Sequence, residues 1–137
     1  MQQLLLALDL MNRKNIIHRD IKPQNILITD SAALMACYAD LGLAMKDYDM
    51  NSAREICGTP GYVDPEVLSG GMFCNRSDIF SLGCVMYNML TCRIIFAGFN
   101  LKEVLNKNRW HDASLQVDKH CMNFSSSCRN LIKMMLV

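Results

Sequence analysis

The segment HRDIKPQNIL, from His18 to Leu27, places a carboxylate, cations and a carboxamide directly ahead of an apolar run. Asp20 is of the residue type that can orient an attacking hydroxyl or accept its proton, and Lys22 of the type that can contact a phosphate. Asn25 offers a hard oxygen to a metal ion. A solvated turn would hold the same residues, so further residues must support the chemistry.

A second carboxylate, Asp40, follows in the sequence ADLGLA. We predict short strands at Ile26 to Ile28 and Leu34 to Tyr38, joined by a polar turn around Thr29 to Ser31. Such a hairpin would return Asp40 to the end where Asn25 lies. Two hard oxygen ligands suit Mg²⁺, which takes its remaining ligands from water and substrate phosphates. The two segments together therefore indicate a magnesium and phosphate site.

Helices must carry this hairpin. Leu4, Leu5, Leu8 and Met11 recur at helical spacing and predict a helix that ends near Asn15. The segment from Leu43 to Pro65 contains glycines and prolines with little periodicity, so we predict at most a long, ordered loop there.

The segment Ser77 to Leu90 begins with a Ser-Asp capping pair and is apolar nearly all round, which predicts a helix buried inside the domain. Further helices are predicted at Leu101 to Lys107 and Ser127 to Leu136. Trp110 is expected to pack against the body of the protein, while His111 and His120 are expected in a solvated loop. The methionines predicted to fill the core are Met11, Met86, Met89, Met134 and Met135.

Composition describes a single folded unit. The chain has 137 residues, of which 51% are hydrophobic and 20% charged, enough for one globular domain. A net charge of +1 gives no reason to expect nucleic acid or an anionic membrane as a partner. The apolar N-terminal run lacks a basic start, is interrupted by Asp9 and is too short to span a bilayer.

The seven cysteines are odd in number and scattered, with no CxxC pair. This pattern favours neither a zinc site nor a disulfide framework, and it fits a reducing, cytoplasmic or nuclear setting. A metal or redox protein is therefore a poor interpretation, and Cys84 is better explained as a small core residue of the predicted buried helix.

In combination, these motifs resemble those of the eukaryotic protein kinase family. They occur in the family's order and spacing over almost the whole chain: HRDIKPQN (18–25) is similar to the catalytic loop, DLG (40–42) to the metal-binding DFG motif, GTPGYVDPE (58–66) to the end of the activation segment, and SDIFSLGC (77–84) to the central helix of the large lobe. The implied fold is the α+β protein-kinase-like fold. Residues 1–137 would form a partial kinase domain, the mainly α-helical large (C-terminal) lobe with a small β hairpin.

The resemblance implies ATP and Mg²⁺ as cofactors and a protein substrate as partner. Asp20 would be the catalytic base or orient the hydroxyl, and Lys22 would contact the transferred phosphate. Asn25 and Asp40 would hold the metal ions. Leu27 would lie beneath the adenine ring, although an ordinary strand residue would also explain it.

Lys22, two positions after Asp20, and Thr59 in GTP resemble the serine/threonine branch of the family. Thr59 therefore joins the implied catalytic residues, and the implied reaction is transfer of the ATP γ-phosphate to protein serine or threonine hydroxyls.

Arg19 resembles the arginine that pairs with a phosphate on the activation segment of regulated kinases. The position usually modified, two before Cys57, holds Glu55. We hypothesise that Glu55 supplies a fixed negative charge there. An exposed glutamate of little energetic value is the competing interpretation. Ser52 is a further candidate phosphorylation site.

The sequence also departs from the family pattern. Leu41 replaces the usual phenylalanine and is expected to pack near His18, and Asp64 replaces the alanine of APE at a possible helix N-cap. Glu66, which in relatives pairs with a later arginine, is expected to lack that partner.

No GxGxxG motif occurs in the 137 residues, so the small lobe and hinge are expected to be missing. We therefore expect these residues alone to have little kinase activity and to expose an apolar surface where the small lobe would lie. Two interpretations remain: part of an active serine/threonine kinase, or a noncatalytic binding or scaffold module. The presence of Asp20, Lys22, Asn25 and Asp40 favours the first.

Overall fold

The computed structural model describes residues 1–29 and 34–137. Over this part of the chain, helices dominate and the strands are short. The helices are α1 Gln2–Arg13, α2 Met50–Ala53, α3 Pro65–Leu68, α4 Asn75–Thr91, α5 Leu101–Trp110, α6 Ala113–His120 and α7 Ser126–Met135, with a 3-10 turn at Pro23–Asn25. The strands are β1 Ile16–Ile17, β2 Ile26–Thr29, β3 Met35–Tyr38 and β4 Met45–Lys46.

Helix α4 is the centre of the main core. Leu82, Cys84 and Val85 are almost fully buried, and α1 and α7 pack against this helix. At Gly83 an added Cβ would lie 2.9 Å from the Cβ of Met135, so glycine permits the close approach of α7. The buried helix that the sequence predicts is confirmed.

The start of α4 differs from the prediction. The helix begins at Asn75, and Ser77 lies in its first turn, where its hydroxyl accepts the backbone N–H of Cys74 at 3.2 Å. Ser77 thus caps the helix from inside, as the second half of a capping box. Asp78 does not cap its own helix but reaches a loop far away in sequence.

The hairpin of β2 and β3 is antiparallel and pairs Ile26 with Tyr38 and Thr29 with Met35. Both predicted strands are confirmed. The predicted turn between them extends to Ser31, and residues 30–33 lie outside the described part of the chain.

A second antiparallel pair, β1 with β4, joins Ile17 to Met45. The prediction of a loop throughout Leu43 to Pro65 is therefore wrong for β4 and for α2. Both elements are too short to show a period, and tertiary burial forms them. Their apolar side chains belong to a second core cluster consisting of Ile17, Met45, Ala53, Val63, Val67, Leu68 and Phe73.

Helices α5 and α7 confirm the two predicted C-terminal helices, whereas α6 was not predicted. Its side chains give weak periodicity, because only Ala113 and Val117 are buried. The loop predicted around His120 is wrong, since this residue ends α6 and its Nδ1 lies 2.7 Å from the Tyr87 hydroxyl.

Three core predictions are also wrong. Trp110 is 72% exposed, Met89 60% and Met134 75%. Each lies on the outer face of a helix whose other face is buried, and a residue's apolar character does not by itself place it inside. In the described part of the chain, no helix combines the length and apolar character needed to cross a bilayer.

Candidate active site

The loop that follows β1 is held by a residue from the core helix. The buried Asp78 carboxylate accepts the backbone N–H of His18 at 2.7 Å and that of Arg19 at 3.0 Å. Burial raises the pKa of Asp78, and these two N–H donors oppose the shift. Arg19 has φ +67°, a left-handed conformation that non-glycine residues adopt only when their surroundings hold them there.

Asp20 follows in this loop and receives four hydrogen bonds. The Asn25 Nδ2 donates to the Asp20 backbone carbonyl at 2.9 Å and to its Oδ2 at 3.0 Å. Lys22 Nζ lies 2.8 Å from the same Oδ2, and the Thr59 hydroxyl donates to Oδ1 at 2.6 Å. Hydrogen bonds to both carboxylate oxygens therefore fix the orientation of the Asp20 side chain.

Lys22 Nζ also donates to Thr59 Oγ1 at 2.8 Å, which closes a ring of Asp20, Lys22 and Thr59. Burial raises the pKa of Asp20, but the hydrogen bonds from Lys22 and Thr59 and the lysine charge outweigh it and hold the pKa below its usual value. Asp20 is thus an ionised carboxylate at neutral pH. The structure brings together the residues assigned to catalysis from the sequence.

Asn25 and Asp40 lie at the same end of the hairpin, as the sequence predicts. The backbone N–H of Ala39 donates to the Asn25 carbonyl at 2.9 Å, which ties the two segments together. Asp40 is exposed, with φ +61°, and its Oδ1 accepts the N–H of Gly42 at 3.1 Å.

These two side chains fit a magnesium ion by donor type. They supply carboxylate and carboxamide oxygens, the hard ligands that Mg²⁺ takes alongside phosphate and water. The described residues contain no cluster of three or more histidine, cysteine, aspartate or glutamate side chains that would form a complete metal cage. The donor set thus suits an ion shared with substrate phosphates rather than a site built by the protein alone.

Leu27 lies on β2 with 54% of its side-chain surface exposed. The apolar side chains near it in the hairpin are exposed as well; they are Ile28, Leu34 and Met35. Leu41 is 58% exposed, so its predicted packing near His18 is wrong. The ring of Tyr38 lies edge-on to His18 instead, with centroids 5.5 Å apart.

The Arg19 side chain lies against the segment that follows the hairpin. Its guanidinium donates to the carbonyls of Leu43 and Ser52, each at 2.6 Å, and lies over the Phe73 ring. The Glu55 carboxylate is 4.0 Å from Arg19 Nη1, and 69% of its side chain is exposed.

Ser52, the other predicted regulatory residue, has its hydroxyl engaged. Its Oγ donates to Asp49 Oδ2 at 2.6 Å, and Asp49 also caps α2 through the N–H groups of Asn51 and Ser52. These hydrogen bonds lower the pKa of Asp49, so the carboxylate beside Ser52 is charged.

Three positioning residues were missed from the sequence. Asp78 was assigned to a cap. Asn108 is fully buried and holds the chain after Thr59 by accepting the N–H of Gly61 at 2.9 Å and donating to the Val63 carbonyl at 2.8 Å. Ser81 Oγ donates to the carbonyl of Tyr62, which lies between Gly61 and Val63, at 2.7 Å. A polar residue at helical spacing from Val104 and Leu105 was the available signal for Asn108.

Asp64 begins α3 and accepts the N–H of Glu66 at 2.8 Å, which confirms the predicted N-cap. Glu66 itself is exposed, so within this structure its carboxylate is solvated rather than buried without a partner.

A cavity of about 600 Å³ extends from the ring of Asp20, Lys22 and Thr59. Its polar end includes Lys22, Asn25 and Thr59, and its other walls are apolar; these are Pro60, Tyr62, Ile94, Phe96, Ala97 and Val104. We call it the substrate groove, after the role that we propose for it below.

Comparison with known proteins agrees with this geometry. The family model for the protein kinase domain matches residues 1–137. The chain is 35% identical over 137 residues to the probable serine/threonine-protein kinase 2 of Plasmodium falciparum, covering 96% of this chain and 26% of that protein. It is 38% identical over 138 residues to the serine/threonine-protein kinase Nek6 of Oryza sativa, covering 98% and 24%.

A third relative, the serine/threonine-protein kinase nekl-2 of Caenorhabditis elegans, is 38% identical over 105 residues, which cover 77% of this chain and 29% of that protein. The matched part of the chain thus spans between 24% and 29% of the length of these relatives. The range matched by the family model includes HRDIKPQN (18–25), DLG (40–42) and the buried helix α4. This chain belongs to the eukaryotic serine/threonine protein kinase family, and the structure shows a mainly helical, kinase-like lobe.

Proposed function

We propose that this chain supplies the hydroxyl-orienting, phosphate-binding and metal-ligating half of a serine/threonine protein kinase active site. The observation that carries the proposal is the ring of Asp20, Lys22 and Thr59, in which one ionised carboxylate, one cation and one hydroxyl are within 2.6 to 2.8 Å of each other. A solvated turn has no physical need for such an arrangement.

In the proposed reaction, a substrate hydroxyl takes the place of the Thr59 hydroxyl or lies beside it against Asp20. The carboxylate orients the attacking oxygen and accepts its proton, and Lys22 stabilises the negative charge on the transferred phosphoryl group. Asn25 and Asp40 would hold Mg²⁺, which neutralises phosphate charge when bound. The exposed side chain of Leu27 would contact the adenine of ATP.

The acceptor is proposed to be serine or threonine. Lys22 donates to Thr59 at the polar end of the substrate groove, and Thr59 in turn donates to Asp20. Serine and threonine side chains are short, so their hydroxyl reaches Asp20 only if the peptide backbone lies close to this end of the groove.

A second candidate function is noncatalytic binding, favoured by the exposed apolar side chains of the hairpin at Leu27, Ile28, Leu34 and Met35. Exposed apolar side chains of this kind can contact another protein surface whether or not catalysis occurs. The assembled Asp20 site favours the catalytic proposal. We also propose a reducing compartment, cytoplasmic or nuclear, because all seven cysteines are free thiols.

Phosphoryl transfer is tested with two proteins: the 137-residue chain, and a chimera that joins it to the small lobe of the Oryza sativa relative. With Mg²⁺ and radiolabelled ATP, we expect the chain alone to transfer little phosphate and the chimera to modify serine and threonine but not tyrosine peptides. Asp20→Asn in the chimera should lower the rate by about 10²- to 10⁴-fold. Asp118→Asn, at an exposed position outside the site, should not.

A thermal shift with Mg²⁺ and ATP establishes that the chimera binds nucleotide. A chimera that binds nucleotide but transfers no phosphate, or an Asp20→Asn variant with full activity, would exclude the catalytic proposal and leave the binding module. Robust transfer by the 137 residues alone would contradict the need for a second lobe.

A further inference from the structure

A second cavity, of about 550 Å³, lies where the end of α4 meets α5 and α6. We call it the basic cavity, after the cationic and hydrogen-bonding side chains around it; these are Tyr87, Arg93, Lys107, His111, Gln116 and His120. The chain from Ile94 to Ala97 forms an apolar wall, and no carboxylate is among the lining residues. The cavity therefore offers donors and positive charge to a ligand, but no negative charge.

The carboxylates nearest in sequence cancel only part of this charge. Glu103 pairs with Lys107 at 2.7 Å, and Asp118 pairs with Lys133 at 2.6 Å. Asp112 accepts the N–H of Ser114 as the cap of α6. These contacts neutralise one lining cation, Lys107, and leave the others.

Arg93 is the cation that remains. Among the described residues, no carboxylate lies within ion-pair distance of its guanidinium, and the side chain is exposed. The backbone around it is fixed, since its N–H donates to Thr91 Oγ1 at 3.2 Å and its carbonyl accepts from Asn88 Nδ2 at 3.1 Å. The planar guanidinium is the side chain best matched to two oxygens of a phosphate.

The pair of Tyr87 and His120 adds a further donor. Burial raises the pKa of Tyr87, so its hydroxyl remains protonated and can donate to His120 Nδ1, 2.7 Å away. In that arrangement the Nε2 of the imidazole carries a proton and is itself a donor. Arg93, His120 and the exposed His111 all line the basic cavity, and each carries an N–H that can donate to a phosphate oxygen.

The basic cavity adjoins the substrate groove. Both are lined by Ile94, Phe96 and Ala97, so this short segment separates them. At about 550 Å³ the cavity is far larger than a phosphate ion requires, and its apolar wall would contact neighbouring residues of a peptide.

We propose that the basic cavity binds a phosphorylated residue of a protein segment, with Arg93 as the principal ligand. A substrate that already carries a phosphate would then be held beside the groove that leads to Asp20. Only this last statement rests on the proposed function, because binding at the cavity requires neither ATP nor phosphoryl transfer.

The test is fluorescence anisotropy with the complete chain, fused to maltose-binding protein for solubility, and the fusion partner alone as a blank. The probe is a short fluorescein-labelled peptide of alanine and leucine with a central phosphoserine, and its unphosphorylated twin is the comparison. We expect the phosphopeptide to bind more tightly, and Arg93→Ala to weaken it by about tenfold or more. Lys102→Ala, an exposed cation on α5 that lines a different cavity, should leave the affinity unchanged.

A second measurement requires no variant. The chain has three histidines, and we expect phosphopeptide to shift the ring NMR signals of His111 and His120 but not those of the buried His18. Equal binding of both peptides, an unaffected Arg93→Ala variant, or unshifted signals of His111 and His120 would overturn the proposal. Displacement by equimolar inorganic phosphate would assign the cavity to free anions and overturn the peptide assignment. None of these outcomes bears on the kinase assay.

Discussion

The Asp78 carboxylate accepts the backbone N–H of His18 at 2.7 Å across 60 positions of sequence. Its other oxygen accepts the N–H of Arg19, the residue with φ +67°. Asp78 lies on α4, the most buried helix, and Asp20 lies in the loop that it holds. The hydrophobic core therefore positions the loop that carries Asp20 through two hydrogen bonds to the backbone.

Asp78→Ala removes the acceptor of two buried N–H groups. Each such loss costs about 1–3 kcal/mol, so we expect the free energy of unfolding to fall by about 2–6 kcal/mol in urea denaturation. Asp9→Ala is the matched control, because its partner Arg13 is on the surface and the pair contributes under about 1 kcal/mol. Equal losses in the two variants would contradict the bridging role of Asp78.

Gly58 and Gly70 provide a second matched pair. Both have positive φ, +89° and +93°, so alanine is strained at either position. An added Cβ at Gly58 would lie 2.6 Å from the Arg19 carbonyl oxygen, whereas at Gly70 no atom lies within 4 Å. We expect Gly58→Ala to lower the thermal unfolding midpoint more than Gly70→Ala does, because overpacking at residue 58 costs about 1–3 kcal/mol in addition. Equal midpoints would show that the loop moves freely away from residue 58.

Thr59→Val removes the hydroxyl that donates to Asp20 at 2.6 Å while keeping the side-chain volume. Burial, which raises the pKa of Asp20, would then be opposed by fewer hydrogen bonds. We expect the pKa of Asp20 to rise in a carbon-13 NMR titration of its carboxyl. Thr59→Ser keeps the hydroxyl and should keep the pKa of the wild type; a similar rise in both variants would refute the assignment to this hydrogen bond.

The low pKa of Asp20 also predicts how stability depends on pH. In the folded protein the pKa of Asp20 lies below its value of about 4 in the unfolded chain. The ionised carboxylate therefore stabilises the fold above about pH 4, and this stabilisation is lost as the pH falls through the folded pKa. The difference in unfolding free energy between wild type and Asp20→Asn should be constant near neutrality and change in favour of the variant below about pH 4. Urea titrations across this range measure it, and a pH-independent difference would exclude the linkage.

Glu55 is the remaining regulatory hypothesis. Its carboxylate is 4.0 Å from Arg19 Nη1 and largely exposed, so Glu55→Gln should cost under about 1 kcal/mol. If the charge helps to order the segment, amide hydrogen exchange between Leu43 and Cys57 should become faster in this variant. Arg19→Gln, which also loses the bonds to the Leu43 and Ser52 carbonyls, should accelerate exchange much more. Unchanged amide exchange in Glu55→Gln would indicate that Glu55 is an ordinary surface glutamate with no ordering role.

Much of the fold could be predicted from local patterns. The periodicity of α1 and the uniform apolarity of α4 predict helices because burial repeats within a few residues along the chain. Helix α6 and strand β4 lack such repetition, and their formation depends on contacts with distant elements. Trp110 and Met134 were predicted to be buried but are exposed. The presence of apolar residues on a helix does not reveal which face the core will cover.

The sequence by itself determined which chemical groups are available: the carboxylates Asp20 and Asp40, the cation Lys22, and the amide Asn25, in an order and spacing that resembles the kinase family. Only the tertiary structure decided how these groups are held. The partners Asp78, Thr59 and Asn108 lie 37 to 60 positions from the groups that they bind. Hydrogen bonds between buried polar groups form wherever packing brings a donor and an acceptor together. Local sequence patterns do not show which distant residues will meet in this way.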